Sequence, residues 1–217
     1  MMSAKQIYLG SRRGPALPYD AEVEYLESTG TQWIDTGVAV SGSSHIVVKM
    51  SDYDSAGTWM FGARQAYLQR AVGMYADAGA AVNSFRFAWG SYLTSEPFTY
   101  TTKNVGVVTI NISAGRLTIT RENIPYTYTE QATTQAFTTP CPLVLFGLNN
   151  NGKAISQAAV KIHGVQIDDV RNLVPVRFTN EQGQSEGALY DRVSGELFRN
   201  SGTGAFNYGN DKYGDFT

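Results

Sequence analysis

Apolar residues in this chain recur at every second position, in short bursts separated by glycine-rich turns, and this alternation limits what the chain can become. Ile46, Val48 and Met50 alternate with His45, Val47 and Lys49, and Phe85, Phe87 and Trp89 alternate with Ser84, Arg86 and Ala88. Successive side chains of a strand point to opposite faces, so each pattern predicts one buried face and one wet face. Val108, Ile110 and Ile112 form a third such face, Ser113 to Arg116 turns, and Leu117 and Ile119 return with Thr118 and Thr120 outward. Gly115 supplies the positive φ that this hairpin needs. No helical pattern of useful length competes; at most a single turn of helix is expected in Ser156 to Ala159.

Later segments extend the reading. Leu143 to Leu148 is apolar at every position and predicts a central strand covered on both faces, ending at the turn Asn149 to Gly152. Val160 and Ile162 alternate up to Gly164, after which Val165 and Ile167 continue with shifted phase, which predicts a β-bulge at that glycine. Ala188 to Val193 and Glu196 to Phe198 read as a second hairpin around Ser194-Gly195. With 22 Gly, 13 Tyr, 10 Phe and 7 Pro, the chain suits short strands and tight turns. Its 217 residues fit one all-β, two-sheet antiparallel sandwich. Residues 1–19 read as an N-terminal arm, 20–208 as the sandwich and 209–217 as a surface tail.

Charge and cysteine content exclude several classes. A net charge of −2 offers no field for phosphates or anionic lipid. Lys5, Arg12 and Arg13 are too few for the basic stripe of a nucleic-acid reader. The single cysteine, Cys141, sits among Pro140, Pro142 and an apolar run, as a buried thiol would, and excludes an intrachain disulfide. No run is long enough to span a membrane, and Met1 to Lys5 does not lead into a signal peptide, so synthesis in the cytoplasm and no membrane insertion are expected.

Three stretches carry a resemblance: Val23 to Gly37 (VEYLESTGTQWIDTG), Phe61 to Arg64 (FGAR), and Gly187 to Asp191 (GALYD) followed by Asn200 to Gly204 (NSGTG). Together they resemble the concanavalin A-like, laminin-G-like jelly-roll domains carried by many phage and prophage structural proteins, over roughly residues 22 to 206. The resemblance implies two curved sheets whose concave face or edge loops bind glycans or proteins in some relatives. It implies a non-enzymatic virion protein in capsid decoration, a head fibre or a tail tip, made in the host cytoplasm. Fold transfers on such motifs and activity does not. Tyr8-Leu9-Gly10 followed by basic residues is similar to the short N-terminal leader of such virion proteins, and Ile7, Tyr8, Leu9, Arg12 and Arg13 are the expected assembly contacts, docking on other virion proteins. A homo-oligomer is expected, with a trimer as the candidate state. The alternative is a carbohydrate-binding module, or a degraded glycoside hydrolase, holding a polysaccharide such as a host surface glycan on its concave face.

Candidate site residues follow from that choice. Glu22, Glu24 and Glu27 are similar to the E-x-D-x-x-E stretch of jelly-roll glycoside hydrolases, with Glu24 where that pattern has Asp. Retaining hydrolysis needs two carboxyl groups about 5 Å apart on one face. On a regular strand Glu22 and Glu24 share a face and Glu27 does not, so solvated strand carboxylates are the expected outcome. Trp33, Trp59, Trp89 and Tyr92 are the candidate sugar platforms, with Tyr67 and Tyr75 as further rings and Asn150 within the amide run Asn149 to Asn151; core filling is the default use of such rings. No cofactor is expected. Calcium is the one metal considered, on Asp168, Asp169 and Asp191, although no linear calcium-loop spacing is present and turn formation by Asx residues accounts for them. His45 and His163 stand isolated and predict no zinc site.

Overall fold

The computed structural model describes residues 17–52, 57–76, 84–93, 98–99, 106–122, 124–132 and 136–212. The described residues form strands and turns without a helix. The strands belong to two sheets of eleven and nine members. Pairing is antiparallel except where Leu148–Asn150 runs parallel to Trp59–Arg64 and at an isolated bridge from Trp59 to Gln157.

The first sheet runs Ile124–Gln131, Arg116–Arg121, Val108–Ser113, His45–Ser51, Ala159–Ile167, Arg171–Thr179, Ser185–Asp191, Leu197–Phe198. The N-terminal segment joins it in two pieces, Ala21–Glu22 on Arg171–Thr179 and Leu26–Thr29 on Ala159–Ile167. The second sheet runs Lys153–Ile155, Leu148–Asn150, Trp59–Arg64, Ala71–Ala76, Ser84–Gly90, Tyr92–Leu93.

The predicted alternation is what closes the two sheets together. Ile46, Val48, Met50, Ile110, Ile112 and Ile162 face inward from the first sheet, and Phe61, Val72, Met74, Phe85, Phe87 and Trp89 from the second, in one continuous core. Each large side chain so buried contributes about 1.5–3 kcal/mol, and this burial offsets the backbone entropy of so many short strands. The hairpin Val108–Ser113/Arg116–Arg121 forms in the expected register, Ser113 opposite Arg116, with Ala114 and Gly115 at φ 47° and 80°. The bulge also forms: pairing with His45–Ser51 shifts between Ile162 and Gly164, leaving His163 as the extra residue.

Three expectations are corrected. The apolar run Leu143 to Leu148 is buried throughout but is not one strand: Phe146 turns at φ 63° between Val144–Leu145 and Leu148–Asn150, so two short pieces share one edge of Trp59–Arg64. Ser156 to Ala159 contains no helical turn; Ser156 sits at φ 52° and Ala159 already opens a strand. The region from Tyr208 is not a loose tail as far as Lys212. Asn207–Tyr208 pairs with Leu26–Glu27, Asp211 bridges to Val23, and the Lys212 N–H donates to the Glu22 carbonyl at 2.7 Å. Residues 213–217, and all five expected assembly residues, Ile7, Tyr8, Leu9, Arg12 and Arg13, lie outside the described residues. The described chain begins at Leu17, and Tyr19 packs its ring on Tyr190 at 4.9 Å between centroids.

Candidate functional site

The first stretch that carries the resemblance and the closing Asn200 to Gly204 meet in one seam between the beginning and the end of the chain. Gln32 is buried, and its Oε1 accepts from the Thr29 N–H at 2.8 Å while its Nε2 donates to the Ala205 carbonyl at 2.9 Å. The Thr31 hydroxyl donates to the Thr203 carbonyl at 2.9 Å, and the Thr203 N–H donates back to Thr31 at 3.2 Å. Asn200 Oδ1 accepts from the Trp33 N–H at 3.2 Å, and the Ser201 N–H donates to the Trp33 carbonyl at 2.9 Å. Gly202 is required because a Cβ there would lie 2.1 Å from the Thr31 carbonyl oxygen. The seam thus satisfies backbone groups that a chain end would otherwise leave open.

Asp191 serves the same purpose one strand away. Its carboxylate is fully buried; Oδ1 accepts from the N–H groups of Asn172 at 2.8 Å and Val193 at 3.1 Å, and Oδ2 from that of Ser194 at 3.2 Å. Arg171 Nη1 lies 3.5 Å from Oδ2. Burial pushes its pKa up, but hydrogen bonds from Asn172, Val193 and Ser194 outweigh this and leave it below the usual carboxylate value. These donors occupy the lone pairs that calcium would need, so Asp191 does not fit the cation considered for it. Asp168 accepts from the His45 N–H at 2.7 Å, and Asp169 is solvent-exposed. Among the described residues, no three His, Cys, Asp or Glu side chains gather as a metal site.

The glutamate triplet is likewise separated. Val23 and Leu26 both point into the protein, so the strand is interrupted at Glu24 and Tyr25. Glu22 accepts from Arg192 Nη2 at 2.6 and 2.9 Å and from the Tyr19 hydroxyl at 3.4 Å. Glu24 Oε2 accepts from the N–H and side-chain amide of Asn210, each at 3.3 Å. Glu27 faces Lys161 at 3.9 Å. The irregularity does bring Glu27 toward the outer side, but each carboxylate has its own structural partner.

The aromatic candidates occupy different places. Trp89 is walled into the core, edge-on to Phe137 at 5.6 Å, and offers no ring face to a ligand. Trp59 lies on the outer face of the second sheet, stacked on Tyr75 at 5.0 Å and covered by the Arg64 guanidinium at 5.7 Å. Arg64 also donates to Asn150 Oδ1 at 2.9 Å, so Asn150 is near Trp59 but already paired. Trp33 is half-buried in the seam. Tyr92 donates a short hydrogen bond to Glu130; burial first, then this bond, push its pKa up to about 12. Of the rings named from sequence, Tyr67 stands in solvent, 68% exposed.

Sequence reasoning missed the arrangement beside the bulge. A cleft of about 500 Å³ opens on the outer face of the first sheet, where Ser51, His163, Tyr25, Lys49, Lys161 and Lys212 line it together with the Glu24, Asp52 and Glu122 carboxylates. His163 reaches it because the bulge turns the extra residue outward. Its Nδ1–H donates to the Glu24 carbonyl at 2.9 Å, and Ser51 Oγ lies 2.9 Å from Nε2. The Tyr25 ring packs edge-on to the imidazole at 5.7 Å and under the Lys161 ammonium at 4.6 Å. Burial holds the His163 pKa below its ordinary value, against the Glu24 hydrogen bond, which raises it. A larger cavity of about 690 Å³ beside Ser41, Phe137 and Thr138 has, among the described residues, one ionisable side chain, Arg70, and no comparable pair. The glycine bulge was the one sequence signal for the cleft, and it pointed to the position of His163 but not to its partner.

No protein-family model matches the chain, and a search of curated proteins returns no match.

Proposed function

We propose that this chain is a structural protein of a phage particle, a jelly-roll sandwich of the concanavalin A-like, laminin-G-like kind displayed on the virion as a decoration, head-fibre or tail-tip unit. The observation that carries the reading is the seam. The residues most characteristic of the resemblance, Gln32, Thr31, Asn200 and Gly202, are committed to hydrogen bonds and a close approach that hold the chain ends together. Residues used in this way specify a rigid unit and leave no chemistry in the motif itself. Such a role needs no cofactor and no turnover.

Assembly falls to the N-terminal arm, which docks on neighbouring copies or other virion proteins, and a host surface glycan is the candidate external ligand. The sheet edges, Ile124–Gln131 on one sheet and Lys153–Ile155 on the other, present backbone groups to which a further strand can add. The test is the solution mass of the full chain beside a chain beginning at Tyr19. An oligomer that falls to a monomer on removal of the arm is the expected result; the same number of copies per particle with and without the arm would overturn arm-driven assembly. A glycan array read in millimolar calcium separates display from carbohydrate binding.

A further inference from the structure

We propose that the cleft beside the bulge is an acyl-transfer site, in which Ser51 is the nucleophile and His163 its base, acting on short-chain carboxylic esters. The inference does not depend on the display role and adds to it. Three features of the geometry carry it. The Nδ1 nitrogen faces a carbonyl, which can only accept, so the proton of the neutral imidazole is fixed on Nδ1. Nε2 is thereby a lone-pair acceptor, aimed at the Ser51 hydroxyl 2.9 Å away. That is the relation of nucleophile, base and orienting group required of an activated serine, with a backbone carbonyl in the third position. Burial keeps the imidazole in the neutral form that a base must have.

The surroundings set the substrate. Ser51 and His163 both line an open cleft, whereas a purely structural pair has no need of access. Lys161 is paired with Asp52 at 2.9 Å and Lys49 lies 3.9 Å from Glu122, so Lys212, whose charge already acts on His163, is the lining cation assigned to the oxyanion that develops when a carbonyl is attacked. Among the described residues, Tyr25 and Val107 are the lining residues with a sizeable apolar surface, so the cleft fits a small acyl group and a polar alcohol rather than a fatty chain.

The chemistry balances with water as the second reactant. Ser51 Oγ bonds to the ester carbonyl carbon as its proton passes to His163 Nε2. The tetrahedral intermediate expels the alkoxide, which takes that proton and leaves as the alcohol. Water, deprotonated by Nε2, then attacks the acyl-serine, releasing the carboxylic acid and returning the proton to Ser51.

The experiment uses the full chain and a fluorophosphonate, which phosphonylates an activated serine with loss of fluoride. One stoichiometric adduct, mapped by mass spectrometry to Ser51, is the expected result, and both Ser51→Ala and His163→Gln abolish it. In parallel, hydrolysis of p-nitrophenyl acetate falls about 100-fold or more in Ser51→Ala, the range expected when base-assisted attack is lost. Absence of an adduct at Ser51 in the unaltered protein overturns the proposal without recourse to any variant. Equal ester hydrolysis by Ser51→Ala and the unaltered chain also overturns it. Neither outcome bears on assembly through the arm.

Discussion

The seam and the cleft both lie on the first sheet, and both are built from polar side chains, yet they use them in opposite ways. Gln32 in the seam, and Asp191 one strand away, are buried and their hydrogen-bonding atoms are turned toward backbone groups. In the cleft, Ser51 is 7% exposed and His163 half-buried, and the two are joined to each other at the edge of open space. A buried polar group with all its partners contributes specificity and is costly to disturb; one that faces a cavity contributes less to folding and is free to act. The difference separates residues that make this fold from residues that can do something with it.

The sharpest way to break the contrast is Asp191→Ala. It strands the N–H donors of Asn172, Val193 and Ser194 and removes the partner of Arg171, and should cost about 3 kcal/mol or more, read as a fall in the urea midpoint. Gln32→Ala opens the link to Ala205 and frees the Thr29 N–H, with an expected loss of about 2 kcal/mol by the same measurement.

On the cleft side the effect is smaller and depends on pH. The folded protein holds His163 neutral below the usual imidazole value of 6.5, whereas the unfolded chain protonates near that value. Stability is therefore fully present above about pH 6.5 and declines as pH falls toward the depressed folded value. The imidazole faces the Glu24 carbonyl, Ser51, Tyr25 and the charges of Lys212, Glu122 and Asp52, of which Lys212 lowers its pKa and the two carboxylates raise it. His163→Gln should flatten the fall of the urea midpoint between pH 6.5 and 5.5. An unchanged slope would assign the acid sensitivity to carboxylates instead.

Local patterns were readable where local physics decided the outcome. The turn at Ala114-Gly115 and the bulge before Gly164 follow from alternation and from glycine, and each involves neighbours in sequence. The break at Phe146 was hidden because its cause is the shared edge of Trp59–Arg64, more than eighty residues earlier, and a leucine-rich run gives no local sign of it. Ala88 was expected on a wet face, yet it is buried with Trp59, Ala71 and Leu148 in a separate cluster, since the second sheet carries apolar residues on its outer side too. The site was less legible than the fold. Glu22, Glu24 and Glu27 drew attention through spacing, but interruption of their strand assigned them to Arg192, Asn210 and Lys161. Ser51 and His163 meet only through strand pairing across the sheet, and neither has a sequence neighbour that announces the other.

The pairing of the first strand with the last also sets how the domain bears load. Val23 opposite Asp211 and Leu26 opposite Tyr208 make an antiparallel pair whose Glu22 and Lys212 ends lie side by side. Force drawn through those ends strains the hydrogen bonds of the pair one after another, as in a zipper, instead of shearing them together. Asn207–Tyr208 would therefore peel from Leu26–Glu27 before the longer strands of the first sheet part, a soft extension ahead of a stiff body.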